Sequence, residues 1–204
     1  MSRRKGFSLL ELMLVLAVGL IITAIALPAA KRTVTSYQLD SSGHAVASML
    51  QNVRMAAVHG NTPYYAQANV AGIAGPTGGV IVSVPASRYP AAAGYQANVD
   101  PTVAMAQNVT ITAGAGPNQA GLEAAAGINP GTTVLVGGDI SFNSRGLPCF
   151  PTAGPWTCST QVGGGAVAFE WYMQNSNNGE WAAVTVTPTG RIRAWRGGSN
   201  GAWQ

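Results

Sequence analysis

The stretch KGFSLLELMLVLAVGLIITAIALPAA, which runs from Lys5 to Ala30, contains the features that decide the fold. Its last 19 residues, from Leu12 onward, carry no charge. At about 1.5 Å per residue, a helix of that length spans the hydrocarbon core of a bilayer. Glu11 immediately precedes this run, although a charge at membrane depth costs a few kcal/mol. The stretch therefore predicts a membrane-spanning helix whose carboxylate needs a partner.

Basic residues flank the apolar run at both ends and predict its orientation. Arg3, Arg4 and Lys5 precede it, and Lys31 and Arg32 follow it. The leading cations favour a cytoplasmic N-terminus, which places the rest of the chain outside the cytoplasm. A secretory signal peptide fits poorly, because the basic region is short and the apolar run is too long. A simple membrane anchor fits better but leaves the carboxylate unexplained.

A second, amphipathic half of the helix is predicted over residues 31–60. Pro28 removes one backbone hydrogen bond and bends the axis, so we expect a kink there and not an end. Gly60 and Pro63 are the signals that end the helix. Apolar residues recur at three-, four- or seven-residue steps, which predicts a stripe that packs on a sheet. The stripe consists of Leu39, Val46, Met49, Leu50, Val53 and Ala57.

Residues 61–204 are predicted to form a β-rich globular head. From Tyr64 onward, short runs rich in β-branched and aromatic residues alternate with turn residues. The segment AGAGPNQAGLEAAAGINPG, residues 113–131, is expected to be a loop. The predicted fold class is α+β, with one long N-terminal helix packed on this head. The predicted strands are Val80–Val84, Val103–Thr112, Thr133–Val136, Ile140–Asn143, Ala166–Met173, Trp181–Thr187 and Arg191–Trp195.

Charged residues are few and indicate no catalytic or metal site. They make up 9% of the chain, and the net charge is +4. Without the three leading cations, 8 basic and 7 acidic residues remain, so the rest of the chain is nearly neutral. We find no Ser/His/Asp set, no phosphate-binding loop and no metal-ligand spacing around His44 or His59. We therefore expect no enzyme activity, no catalytic residue, no metal and no cofactor.

Cys149 and Cys158 are the two cysteines of the chain. A zinc site needs four ligands, and the two histidines lie far away in the sequence. If the head faces an oxidising compartment, the natural expectation is one disulfide that closes the loop between the two cysteines. A loop of this size stabilises the fold by about 2.7 kcal/mol in the chain-entropy model.

The order Gly6-Phe7-Ser8-Leu9-Leu10-Glu11, after a basic leader and before an apolar helix, resembles the N-terminus of type IV pilins and type II secretion pseudopilins. The resemblance implies that residues 1–6 are a leader, which a prepilin peptidase removes between Gly6 and Phe7. The new amino group of Phe7 is then methylated. The resemblance also implies a pilin-like fold, in which the long helix packs on the head.

By the same resemblance, the helix over residues 7–30 anchors the subunit in the bacterial inner membrane, with the head in the periplasm. It later packs in the core of a helical filament built with other pilin or pseudopilin subunits. Phe7 and Glu11 share one helix face, because they are four residues apart. The family pairs the glutamate of one subunit with the N-terminal amine of its neighbour, which offsets the cost of burying either charge.

Two further stretches resemble the GspH/FimT branch of minor pilins and pseudopilins. Ile140–Pro148 is similar to a strand followed by the Phe-x-x-x-Gly turn of that branch, and Val184–Arg193 is similar to its last strand and terminal motif. The resemblance covers both ends of the chain, and residues 64–132 show no recognisable motif. Within the terminal motif, Gly190 is expected to form a turn after the strand.

Gly190-Arg191-Ile192-Arg193 matches the Gly-Arg-x-Arg motif that the FimT branch links to DNA binding in natural transformation. The resemblance implies that Arg191 and Arg193 contact DNA phosphates, that Arg196 supports them, and that binding is independent of sequence. A GspH-like pseudopilin of the type II secretion system is the alternative; there the turn serves only the hairpin or a subunit contact. The last residues, 197–204, are expected to be flexible.

Overall fold

The computed structural model shows one long helix, α1, followed by a head made of two β-sheets, which confirms the α+β class. The predicted processing residues Gly6 and Phe7 lie outside the described residues. The structure describes residues 8–70, 73, 79–152, 154–197 and 201–204.

Helix α1 runs without a break through Leu9–His59, a length of 51 residues. It continues through Pro28, so the helix does not end there; the bend at this proline stays a prediction. Every described residue up to Val34 is exposed, and the first buried one is Leu39. The apolar half of α1 therefore projects from the head, and it is long and apolar enough to cross a membrane.

The first sheet is a four-stranded antiparallel sheet. Its strands are β1 (Tyr64–Ala68), β2 (Val80–Pro85), β3 (Thr102–Ala104) and β6 (Ile140–Phe142). They lie in the order β3-β2-β1-β6. A 3₁₀ turn (Ala86–Arg88) and a short helix, α2 (Ala91–Gly94), follow β2.

The second sheet carries the C-terminal strands. Its main strands are β4 (Val109–Thr112), β10 (Gly165–Asn175), β11 (Trp181–Val186) and β12 (Ile192–Arg196). They lie in the order β12-β11-β10-β4, and all neighbours are antiparallel. Three smaller pairings complete the head: β5 (Thr133–Val136) runs parallel to β10, β9 (Gln161–Val162) runs antiparallel to β10, and β7 (Phe150–Pro151) pairs with β8 (Cys158–Ser159).

The core lies between the buried face of α1 and both sheets. All six residues of the predicted apolar stripe are buried, which confirms that interpretation. The stripe packs against Ile81 and Phe142 of the first sheet and against Trp171 and Val184 of the second. Because one helix face contacts both sheets, α1 holds the head together as a single core.

Two strand predictions are wrong. The run Val103–Thr112 is not one strand: it divides into β3 and β4, which belong to different sheets. Asn108 lies between them with a φ of 67°, a left-handed conformation that asparagine tolerates and that reverses the chain. Strand β1 was not predicted, because Tyr64–Ala68 is buried on both faces and shows no alternation of polar and apolar residues.

The segment expected to be a loop contains a helix, α3 (Gln119–Ala126). The Asn118 side chain caps its start by accepting a hydrogen bond from the Gly121 backbone N–H at 3.2 Å. Leu122 is buried, so α3 is held against the head by packing. The Gly, Pro and Asn residues that suggested a loop lie mainly at the ends of α3, where they form caps, while alanine favours helix in between.

The C-terminal residues that the structure describes are ordered, contrary to the expectation of a flexible tail. The backbone N–H of Gln204 donates to the Arg196 carbonyl at 3.0 Å, and the N–H of Arg196 donates to the Gln204 carbonyl at 2.9 Å. Trp203 is 9% exposed and packs on the Tyr172 ring, with centroids 5.8 Å apart. The burial of one large side chain offsets the entropy lost by the tail.

The predicted disulfide between Cys149 and Cys158 is confirmed, with the two Cα atoms 5.3 Å apart. It closes the loop that contains β7 and β8. The Tyr65 hydroxyl donates to the Pro155 carbonyl at 2.6 Å, which ties this loop to the first sheet.

Candidate nucleic-acid interface

The arginine motif forms a tight turn between β11 and β12. The Thr187 backbone N–H donates to the Arg191 carbonyl at 3.0 Å, and the Gly190 N–H donates to the Thr187 carbonyl at 2.7 Å. Gly190 has a φ of 80°, a left-handed conformation that favours glycine. The Thr187 hydroxyl also accepts from the Arg191 N–H at 3.2 Å. The turn is therefore held by its own backbone.

Arg54 of α1 fixes this turn against the rest of the head. Its Nη1 donates to the Gly190 carbonyl at 2.9 Å. A Cβ on Gly190 would lie 2.8 Å from the Gly146 carbonyl oxygen, so the two glycine turns are in direct contact. Arg54 belongs to no recognisable motif, and no sequence signal joins it to Gly190, which lies more than 130 positions away.

The two segments that carry the GspH/FimT resemblance therefore meet at the C-terminal end of α1. In the Phe-x-x-x-Gly turn, the Asn143 Oδ1 accepts from the backbone N–H groups of Arg145 at 2.9 Å and Leu147 at 3.1 Å. This Asx turn presents Arg145 as an exposed side chain next to Gly146. Arg145, which sequence analysis did not select, thus lies one residue from the glycine that contacts Gly190.

Arg191 and Arg193 are both exposed at this end of the head. The Arg193 guanidinium carbon lies 5.4 Å from the centroid of the Trp195 ring, within the range of a cation–π contact. The Trp195 Nε1 donates to the Thr185 hydroxyl at 2.8 Å, which fixes the ring. In the described part of the chain, no carboxylate lies within 4.0 Å of Arg54, Arg191 or Arg193. Arg191 and Arg193, which are exposed, can therefore meet an external anion.

Arg196 does not lie with the other two arginines. Ile192 and Ala194 pack against the core, and strand alternation places Arg196 on that same face of β12, opposite Arg193. Its Nη2 lies 3.4 Å from the Glu180 carboxylate. The structure therefore places Arg193 and Arg196 on opposite faces of β12, and Arg191 lies just before this strand. The supporting role of Arg196 in DNA binding stays a prediction.

A buried carboxyl group lies on the outer face of the second sheet, close to the site. Glu170 is fully buried, and the Tyr172 hydroxyl donates to its Oε2 at 2.9 Å. Its Oε1 has no hydrogen-bond partner among the described residues. Burial raises the pKa of Glu170 to about 7, the Tyr172 hydrogen bond opposes this shift, and the charge of Glu123 adds to it. The carboxyl is therefore partly neutral near physiological pH.

Glu11 lies in the first turn of α1, and its side chain is exposed. No described residue of the head approaches it, because the apolar half of α1 makes no contact with the core. The carboxylate is therefore available to a partner outside this chain, and its predicted pairing with an N-terminal amine stays a prediction.

A model of the prokaryotic N-terminal methylation motif matches residues 1–27. No similar curated protein and no similar solved structure was found for the chain. The motif and the α+β architecture together support a type IV pilin-like or pseudopilin-like protein. Its apolar helix fits an anchor in the inner membrane, and the motif implies processing by prepilin peptidase and assembly with other pilin subunits.

Proposed function

We propose that this protein is a minor type IV pilin of FimT type, which captures DNA through Arg191 and Arg193. The subunit is anchored in the inner membrane and enters a pilus-like filament beside other pilins. It acts by binding and assembly, without enzyme activity or a cofactor. DNA captured at the head is a substrate for uptake in natural transformation.

The observation that carries the DNA role is a pair of exposed arginines, Arg191 at a braced turn and Arg193 in β12, that meet no carboxylate among the described residues. Arg54 and Gly146 hold Gly190 in place, so Arg191 leaves a turn whose position is fixed. Trp195 lies under the Arg193 guanidinium and restricts its motion. A guanidinium with few conformations loses less entropy when it binds a phosphate. The pair is therefore suited to grip two points on a nucleic-acid backbone.

The position of the pair also suits capture. Arg54 lies 24 residues beyond Ala30, the end of the apolar run, which corresponds to about 36 Å along α1. The arginine turn is thus at the end of the head that is far from the membrane. A phosphate backbone can approach there without meeting anionic lipid.

One observation favours the alternative, a GspH-like pseudopilin that acts in filament assembly and protein export. The contacts of Gly190 with Arg54 and Gly146 hold the hairpin on α1 whether or not DNA binds. The glycine of the motif therefore has a structural role that a secretion pseudopilin also needs. Under this alternative, the exposed arginines contact another subunit, and DNA is not a ligand.

The test is the retardation of duplex DNA by a fragment of residues 31–204. This fragment keeps every buried residue of α1, since the first of these is Leu39. We expect the fragment to retard DNA of any sequence and the Arg191→Gln/Arg193→Gln variant to lose most of this binding. Each lost phosphate contact should reduce the slope of log affinity against log salt by about 0.9.

The matched control is Lys31→Gln/Arg32→Gln, which removes the same charge at the opposite end of the head. It should bind DNA as the unaltered fragment does. Retardation that is unchanged in the Arg191→Gln/Arg193→Gln variant would remove the site assignment, and no retardation by the unaltered fragment would favour the secretion alternative. Arg196→Gln measures the supporting role predicted for that residue.

A further inference from the structure

A groove lies between α1 and the end of β12, just beyond the apolar run. Its volume is about 520 Å³. It is open to solvent on the side away from the core, since Arg32, Thr33 and Tyr37 are exposed. The lining residues are Arg32, Thr33, Ser36, Tyr37, Asp40 and Arg196.

The position of the groove relative to the membrane follows from the rise per residue of α1. The apolar run ends at Ala30, so Arg32 and Ser36 lie about 3 Å and 9 Å further along the axis. The headgroup layer extends roughly 5–7 Å from the hydrocarbon core on each side of a bilayer. When the apolar run spans the membrane, the groove therefore faces the headgroups. Tyr37, whose side chain is 72% exposed, has the amphipathic character of residues at this level.

Arg196 enters this groove because of a specific hydrogen-bond chain. The Ser36 hydroxyl donates to the Glu180 Oε2 at 3.1 Å, and the same oxygen accepts from the Arg196 Nη2 at 3.4 Å. Glu180 thus ties β12 to α1 and holds the Arg196 guanidinium at the groove that Arg32 also lines. A guanidinium has five N–H donors, so most of those on Arg196 stay available.

We infer that this groove binds the phosphate of an anionic phospholipid headgroup in the membrane that anchors the chain. The inference rests on the membrane anchor but not on DNA binding. Arg32 and Arg196 supply two guanidiniums to the groove. Lys31, which precedes Arg32 on α1 and does not line the groove, adds a third cation at the same level. These three cations exceed the two nearby carboxylates, Glu180 and Asp40, so the groove favours a lipid with a net negative charge.

The bound lipid holds the head against the membrane surface before assembly. Entry into a filament withdraws α1 from the bilayer and removes the lipid, so the contact belongs to the unassembled subunit. The three arginines are thereby divided: Arg191 lies at the turn far from the membrane, Arg193 lies on the outer face of β12, and Arg196 faces the lipid.

The experiment uses the full chain reconstituted in nanodiscs of phosphatidylcholine that contain phosphatidylglycerol. The protein is extracted in neutral detergent, and the retained lipids are counted by native mass spectrometry. We expect phosphatidylglycerol to be enriched over phosphatidylcholine. Arg196→Gln and Arg32→Gln should each lower this enrichment about fivefold, and Arg196→Lys should keep most of it.

The matched control is Arg193→Gln, on the same strand but on its opposite face. It should retain phosphatidylglycerol as the unaltered chain does, while its DNA retardation falls. The inference is overturned if Arg196→Gln retains the lipid fully, if both lipids are retained equally, or if free inorganic phosphate displaces the lipid. A loss of DNA binding alone leaves this result unchanged, so the two proposals fail separately.

Discussion

At the scale of single residues, Gly190 and Arg54 explain why the arginine turn has a fixed position. Gly190 combines a φ of 80° with a Cβ position only 2.8 Å from the Gly146 carbonyl. A side chain there meets both backbone strain and a backbone oxygen that cannot move aside easily. Arg54 donates to the Gly190 carbonyl and fills the remaining space beside the turn.

Gly190→Ala should therefore destabilise the head by about 2 kcal/mol or more, because a left-handed conformation and a steric overlap add. Thermal unfolding of the 31–204 fragment measures this change. Gly163→Ala is the matched control, since Gly163 has a φ of 61° but open space around it. It should cost only about 1 kcal/mol. Equal costs for the two variants would show that the contact with Gly146 is unimportant.

Glu170 gives the head a predictable pH dependence. The ordinary pKa of 4.5 applies to the unfolded chain, and burial raises the folded value to about 7. Between these values the folded state binds more protons than the unfolded state, so the free energy of unfolding falls as pH rises from about 4.5 to about 7. Above that window the loss is complete, and it amounts to about 3 kcal/mol at most.

Glu170→Gln should remove this loss, because the amide stays neutral and its oxygen can still accept from the Tyr172 hydroxyl. We expect the variant to melt at a higher temperature than the unaltered fragment at pH 8 and to show a flatter profile between pH 5 and pH 8. Glu180→Gln, at a partly exposed carboxylate, should keep the original profile. If the pH profile of stability in Glu170→Gln matches that of the unaltered fragment, Glu170 is not the source of the pH dependence.

At the scale of elements, α3 and the C-terminal tail cover the outer face of the second sheet. Trp203 packs in one cluster with Leu122 of α3, Tyr172 of β10 and Ala183 of β11. Its Nε1 donates to the Asn118 carbonyl at 3.1 Å, at the start of α3. The Asn118 Nδ2 donates back to the Gly201 carbonyl at 2.6 Å. The tail and α3 therefore depend on each other.

Trp203→Ala should lower the stability of the head by about 3 kcal/mol, because it opens a cavity and removes one of the two donors to the Asn118 carbonyl, the other being the Leu122 N–H. Hydrogen exchange should increase in α3 as well as in the tail. Trp156→Ala is the control, since Trp156 is 62% exposed, and it should change stability by less than about 0.5 kcal/mol. If the amides of α3 keep their protection from hydrogen exchange in Trp203→Ala, α3 does not depend on the tail.

At the scale of the whole molecule, Arg191 and Arg196 lie beside different positions of α1, at different distances from the membrane. Arg191 lies beside the turn that Arg54 holds, and Arg196 lies beside Ser36 through Glu180. The two helix positions are 18 residues apart, or about 27 Å. Under the two proposals, a chain with a nearly neutral head carries two anion-binding sites that face different ligands.

Assembly makes its own prediction at this scale. If Glu11 pairs with the N-terminal amine of a neighbouring subunit, Glu11→Ala should lower the amount of this chain in sheared filaments and leave its level in the membrane unchanged. In the unaltered chain, the attraction between the carboxylate and the amine offsets the cost of burying the amine, and the variant loses this attraction. Immunoblots of the two fractions measure the ratio. Glu123→Gln, in the head, is the control and should not change it.

An equal share of Glu11→Ala and unaltered chain in the filaments would contradict the pairing. So would a working filament whose subunits keep residues 1–6, since the uncut chain has no amine at Phe7.

The local sequence pattern was sufficient to predict α1 and most of the strands. The apolar run and the stripe from Leu39 to Ala57 follow from spacing within one helix, and both are found. The helix α3 was missed because Gly116, Pro117 and Gly127 read as loop signals, although they flank α3 as caps. Strand β1 was missed because burial on both faces removes the alternation that marks a strand.

The candidate site also contains some residues that the sequence indicates and others that only the tertiary structure reveals. The exposed pair Arg191 and Arg193 was accessible from the sequence, because two residues that are two apart in a strand share a side. Arg193 and Arg196 are three residues apart, and in a strand an odd spacing places two side chains on opposite faces. This inference holds only if β12 continues to Arg196, which the structure shows. Arg145 had no such signal, since its relation to the turn depends on a contact between strands of different sheets.

The sequence by itself determined the apolar run of α1, its amphipathic stripe, the N-terminal methylation motif and the arginine turn, because each depends on neighbours within a few residues. Only the tertiary structure decided which charges share a surface. The packing of both sheets on α1 brings the Gly146 turn against Gly190, and the core contacts of β12 direct Arg196 toward α1. Such contacts join residues that are far apart in the chain, and their geometry is set by how two sheets pack on one helix face.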